Sequence, residues 1–185
     1  MGGGLRKQDT SMLCFAYGSN MSIRRLSARV PSARFRAVGT LPGHRMLFHK
    51  RSRADGSAKC DAFHTGSSGD RVLGVVYDID EAHKGDLDRV EGLGYGYDEK
   101  LVSVTTRDGG QLEVQLYVAT DIDPDLMPYR WYWEHVRIGA RESGLPAQYI
   151  EWIEAVPVHD DPDSGRHKRE LAIYTPADLH EATRL

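Results

Sequence analysis

The sequence predicts an α+β fold, a largely antiparallel or mixed sheet closed into a small barrel with helices attached. Strand-like runs dominate and lack the strand–helix alternation of a parallel α/β protein. Two alternating runs flank Asp108-Gly109-Gly110, a hairpin signal. The 185 residues suit one domain with a single core.

Each element follows from its local pattern. Met12–Tyr17 is a short apolar run cut off at Gly18, as expected of a buried strand. Ile23, Leu26 and Val30 then recur at helical spacing, with Ser22 placed to cap and Pro31 to stop the helix. Ala33–Leu41 and His44–His49 read as strands joined by the turn pair Pro42-Gly43. Arg51–Lys59 is polar and reads as a surface loop, and Cys60–His64 as a short strand. Arg71–Ile79 is a strong strand whose Gly74 predicts a bulge or a close backbone approach. Asp80–Glu91 has a capping Asp80 and an i, i+3 pair in Leu87 and Val90, so it reads as a helix ended by Gly92. The hairpin strands are Tyr97–Arg107 and Gln111–Thr120. Tyr129–Glu142 is helical, and Pro146 opens a second helix to about Ala155. The organisation expected is a disordered extension over 1–11, one domain over 12–156 and a charged, loosely attached arm over 157–185.

Composition narrows the function. A net charge of −3 gives no electrostatic case for nucleic acid or an anionic membrane. No apolar run approaches the roughly 18 residues of a membrane span. The N-terminus lacks the basic start and apolar middle of a signal peptide. Cys14 and Cys60 form no CxxC pair and read as reduced, packed thiols, which favours a cytoplasmic setting. His44, His49 and His64 show no metal-ligand spacing, and no GxSxG elbow is present.

Two segments have the residue types that chemistry needs. Tyr17-Gly18-Ser19-Asn20 lies where a strand turns toward a helix, where backbone N–H groups lack partners and a carboxylate can bind. The same residues would also serve as an ordinary capped turn. Glu91 ends a helix beside Gly92, Gly94 and Gly96. A carboxylate there meets the unfavourable end of the helix dipole, and burial would raise its pKa toward neutrality, suiting acid/base work. It would equally serve as a solvated acid before a glycine cap. Tyr17, Tyr95, Tyr97, Tyr117 and Tyr132 supply hydroxyls for a polar pocket or side chains for a sheet.

Taken together, four blocks resemble the γ-glutamylcyclotransferase-like family over about Met12 to Val156. They are Phe15–Met21 with its YGSN signature, Gly74–Tyr77, Leu87–Gly92, and Gly139–Pro146 with Tyr149-Ile150. The last block resembles the mammalian-type branch. The resemblance implies a mixed barrel, no metal or organic cofactor and a small-molecule γ-glutamyl substrate. It also implies cyclisation to 5-oxoproline with release of an amine. It casts Glu91 as acid/base and Tyr17, Gly18, Ser19 and Asn20 as the substrate loop. Tyr117, Tyr132 and either Tyr97 or Tyr95 would line the pocket. A non-catalytic domain on the same barrel, binding a small carboxylated ligand, is the competing expectation.

Overall fold

The computed structural model describes residues 10–180. The chain runs β1 (Ser11–Ala16), α1 (Ile23–Arg29), β2 (Arg34–Pro42), β3 (His44–Arg51), β4 (Ala58–His64), β5 (Arg71–Asp80) and α2 (Lys84–Glu91). It continues through β6 (Tyr97–Thr106), β7 (Gln111–Ala119), α3 (Arg130–Glu142), α4 (Ala147–Glu154), α5 (Ser164–Leu171) and α6 (Pro176–His180). Residues 1–9 of the expected extension lie outside the described residues, whereas Ser11 already opens β1.

Five strands close a barrel in the order β1-β5-β2-β6-β7. Neighbours are antiparallel except at the seam, where β7 meets β1 in parallel at Cys14 and Gln115. β2 and β3 are consecutive but not paired: Pro42-Gly43 carries the chain out of the barrel into a separate antiparallel ribbon of β3 and β4. The core is the barrel interior and the ground between barrel and α3, with Phe15, Val76, Tyr77, Leu116 and Val136 almost fully buried. Gly74 is the close approach its sequence context predicts. A Cβ there would stand 2.5 Å from the Ala16 carbonyl oxygen on the paired strand.

One expectation holds and one needs correction. The loop after β3 lies at the surface, with Arg53, Ala54 and Gly56 exposed, although Ser52 and Ser57 are buried at its neck, where Ser52 N–H donates to Ser57 O at 3.0 Å. The charged arm after Pro157 is not loosely attached. Asp161 takes the Trp131 indole N–H at 2.8 Å and is paired with Arg166. Arg25 reaches Glu170 at 2.6 Å, and Arg24 reaches Asp178 at 2.7 Å. Among the described residues, no helix is long and apolar enough to cross a membrane.

Candidate active site

β1 delivers Ala16 and Tyr17 to one end of the barrel, where the chain breaks at Gly18 into a 3₁₀ turn, Ser19–Met21. Three contacts fix that turn. The Met21 N–H donates to Gly18 O at 3.0 Å, and the Tyr77 hydroxyl donates to Met21 O at 2.6 Å. From behind, α3 presses on it at Gly139. Gly18 is needed for space, since a Cβ there would lie 3.0 Å from the Cys60 Cβ and 3.2 Å from the Tyr132 hydroxyl. Ser22 stands at the N-cap of α1 as expected, but its side chain makes no capping bond.

Glu91 enters from the opposite side as the last residue of α2. Gly92 behind it takes the left-handed conformation at φ 76° and closes the helix with its N–H on Asp88 O at 2.9 Å. This turns the Glu91 carboxylate onto the loop, where its Oε1 accepts a hydrogen bond from Asn20 Nδ2 at 2.7 Å. Burial raises the Glu91 pKa. The Asn20 hydrogen bond and the charges of Arg29, Arg25 and Lys50 oppose it without cancelling it.

Four tyrosines wall the space between loop and carboxylate, all buried and with their phenols kept neutral by burial. Tyr17 donates to Tyr117 O at 2.5 Å, and Tyr97 donates to Cys60 O at 2.5 Å. Tyr117 donates to Asp88 at 2.6 Å, and Lys84 holds that carboxylate. Tyr132 is the exception: its oxygen accepts the Cys60 N–H at 3.0 Å. Its own proton is therefore not spent on a backbone carbonyl or a carboxylate. Tyr97, rather than Tyr95, lines the pocket; Tyr95 is 70% exposed and stands at the outer rim.

The pocket thus brings together Tyr17, Gly18, Ser19, Asn20, Glu91, Tyr97, Tyr117 and Tyr132, the whole sequence-expected set. The histidines do not converge. His44 packs edge-on against His64, while His49 turns to the buried Asp61 at 2.8 Å. Among the described residues, no group of three or more His, Cys, Asp or Glu is placed to hold a metal ion. Sequence reasoning missed Cys60, which acts through its backbone and so leaves no side-chain signal. It also missed Asp88 as the anchor of Tyr117. The i, i+4 spacing of Lys84 and Asp88 was visible, but their tyrosine partner was not.

Residues 71–153 match the AIG2-like family. A γ-glutamylcyclotransferase of Bos taurus is 32% identical over 164 residues, covering 84% of this chain and 85% of that one. The chain belongs to the γ-glutamylcyclotransferase family. The γ-glutamylcyclotransferase of Homo sapiens is also 32% identical, over 82% of both chains. A solved γ-glutamyl cyclotransferase superposes with a TM-score of 0.77 at 29% identity, covering 86% of this chain and 99% of that one. As a γ-glutamylcyclotransferase family member the chain is an enzyme with cyclotransferase activity, and its mixed barrel is the fold of its solved relatives.

Proposed function

We propose that the enzyme converts γ-glutamyl amino acids or γ-glutamyl amines to 5-oxoproline and a free amine, with Glu91 moving the protons. The observation that supports this most is the Glu91 carboxylate, half-buried beside neutral tyrosines and hydrogen-bonded to Asn20 of the loop. The nucleophile and electrophile belong to one molecule, so the first task is to fold the glutamyl chain; such orientation is worth about 7–11 kcal/mol. The loop Tyr17-Gly18-Ser19-Asn20 receives the glutamyl head. Glu91 takes a proton from the α-ammonium, and the freed amine attacks the γ-carbonyl carbon. The new C–N bond closes the five-membered ring, and an oxyanion develops. Tyr132 is the pocket phenol with a proton to offer it. The amide C–N bond then breaks as Glu91 gives its proton to the leaving nitrogen, and the ring nitrogen gives up its second proton to Glu91, which passes it to the released amine or to water.

Two expected results test this reading. The purified protein should release 5-oxoproline from at least one of γ-glutamyl-alanine, γ-glutamyl-ε-lysine and glutathione, measured by chromatography. Folded protein that releases none would overturn it. The second concerns pH. Glu91 must be ionised to accept the first proton, so activity falls as pH drops through its raised pKa. Asn20 donates to the charged form. Asn20→Leu therefore raises that pKa further and moves the acidic limb of kcat/KM to higher pH. A limb that stays or moves down would remove Asn20 as the partner of the carboxylate.

A further inference from the structure

The tyrosine pocket opens onto a wider vestibule of about 370 Å³, and beyond moderating the Glu91 pKa its charge has no part in the mechanism above. Four of its cations are matched by carboxylates: Arg25 by Glu170 at 2.6 Å, Lys59 by Asp55 at 2.9 Å, Arg166 by Asp161 at 2.5 Å and Arg89 by Asp86 at 3.0 Å. Arg29, Lys50 and Arg53 also line it, and among the described residues none of the three has a carboxylate partner. Arg29 makes only a 3.5 Å contact with the Asn20 side-chain oxygen.

Lys50 is the informative member. It is 7% exposed, and its ammonium lies 4.7 Å from the centre of the Tyr97 ring; among the described residues it has no hydrogen-bond acceptor and no carboxylate in ion-pair contact, and Asp121, Asp55 and Glu91 act on it only at longer range. Burying a cation is costly unless it is paired, and an aromatic face offsets only part of that cost. Burial pulls its pKa down. The Lys50 ammonium faces the vestibule with no carboxylate in contact, so an anion that enters there can take that place. Tyr97 also lines the Glu91 pocket, so Lys50 stands beside the route by which the released amine leaves. A glutamyl head uses its single carboxylate at the loop. The remaining cations therefore exceed the one carboxylate of a neutral amino-acid leaving group, and they would repel a cationic one.

We propose that the vestibule is a leaving-group subsite for an amine bearing at least two carboxylates, as in γ-glutamyl-glutamate, with Lys50 and Arg29 as the residues that set this preference. The assignment rests on the γ-glutamyl reading of the site. It makes γ-glutamyl-glutamate the better substrate and γ-glutamyl-glutamine, the same shape with one charge fewer, the poorer one.

The test compares these two peptides by 5-oxoproline release and, separately, by calorimetric binding to Glu91→Gln protein. The expected result is a kcat/KM ratio of tenfold or more in favour of γ-glutamyl-glutamate, with tighter binding of the same peptide. Lys50→Met and Arg29→Gln should each reduce the ratio at least threefold, and Lys50→Arg should restore it. Raised salt should also shrink it, because charges at the open vestibule are screened. Equal turnover and equal binding of the two peptides would overturn the subsite while leaving the cyclisation intact. Tighter binding of γ-glutamyl-glutamate with no 5-oxoproline from either peptide would keep the subsite and overturn the reaction. Unequal turnover left unchanged by both neutral variants would remove Lys50 and Arg29 from the role.

Discussion

Glu91→Gln is expected to lower 5-oxoproline release by about 10²–10⁴-fold, the usual contribution of a positioned acid/base, while the protein stays folded. Glutamine has nearly the same shape, and its amide oxygen still accepts the Asn20 hydrogen bond. It cannot exchange a proton near neutral pH. The stability effect has a definite sign. Burial raises the folded-state pKa of Glu91, so the native state holds a proton that the unfolded chain has already lost. Stability from this group therefore falls as pH rises from the unfolded value through the folded one. At neutral pH the substitution removes that cost, and the variant should melt at the same temperature as the parent or higher. Thermal unfolding followed alongside product release checks both halves. Near-normal turnover would overturn the acid/base assignment. A large loss of stability would show that the ionised carboxylate holds the loop in place.

The second large effect is expected at Gly139, well away from the reacting atoms. In an exposed helix interior, replacing glycine with alanine gains about 1 kcal/mol. Here the sign should reverse. A Cβ on Gly139 would stand 2.4 Å from the Ser22 amide nitrogen and 2.7 Å from the Met21 carbonyl carbon. Both are backbone atoms of the segment that carries Asn20, so no side chain can swing aside. Overpacking of this kind costs about 1–3 kcal/mol. The relief available is to push the 3₁₀ turn away from α3, which lengthens the Asn20–Glu91 bond. Gly139→Ala should therefore lower the denaturant midpoint and reduce kcat/KM together. A variant more stable than the parent, with full activity, would show that α3 does not set the position of the loop.

The elements were legible because periodicity is local. Arg71–Ile79 and the hairpin around Gly109 carry the strand alternation in their own side chains, and the strands formed where the pattern placed them. Glu91 and the YGSN loop were legible as motifs, but their meeting was not, since 71 residues separate Asn20 from its partner. The same distance problem hid the tail. Asp161 and Asp178 look like solvated charges when their neighbours in sequence are also charged. Their partners Trp131 and Arg24 lie 30 and 154 residues away. Lys50 was hidden for a different reason. An unmatched cation is defined by what is missing around it, and only three-dimensional packing reveals that.

The placement of β1 has a consequence for how the chain is made. Among the described strands β1 leaves the ribosome before the others, and its partners β5 and β7 are synthesised some 60 to 100 residues later. Contacts at such separations form slowly, because loop closure comes before the reward. The Tyr17 hydroxyl waits for the Tyr117 carbonyl, Asn20 waits for Glu91, and the turn between them waits for Gly139 of α3. No nascent chain shorter than α3 therefore carries a complete pocket, and catalytic competence arrives only with closure of the barrel seam.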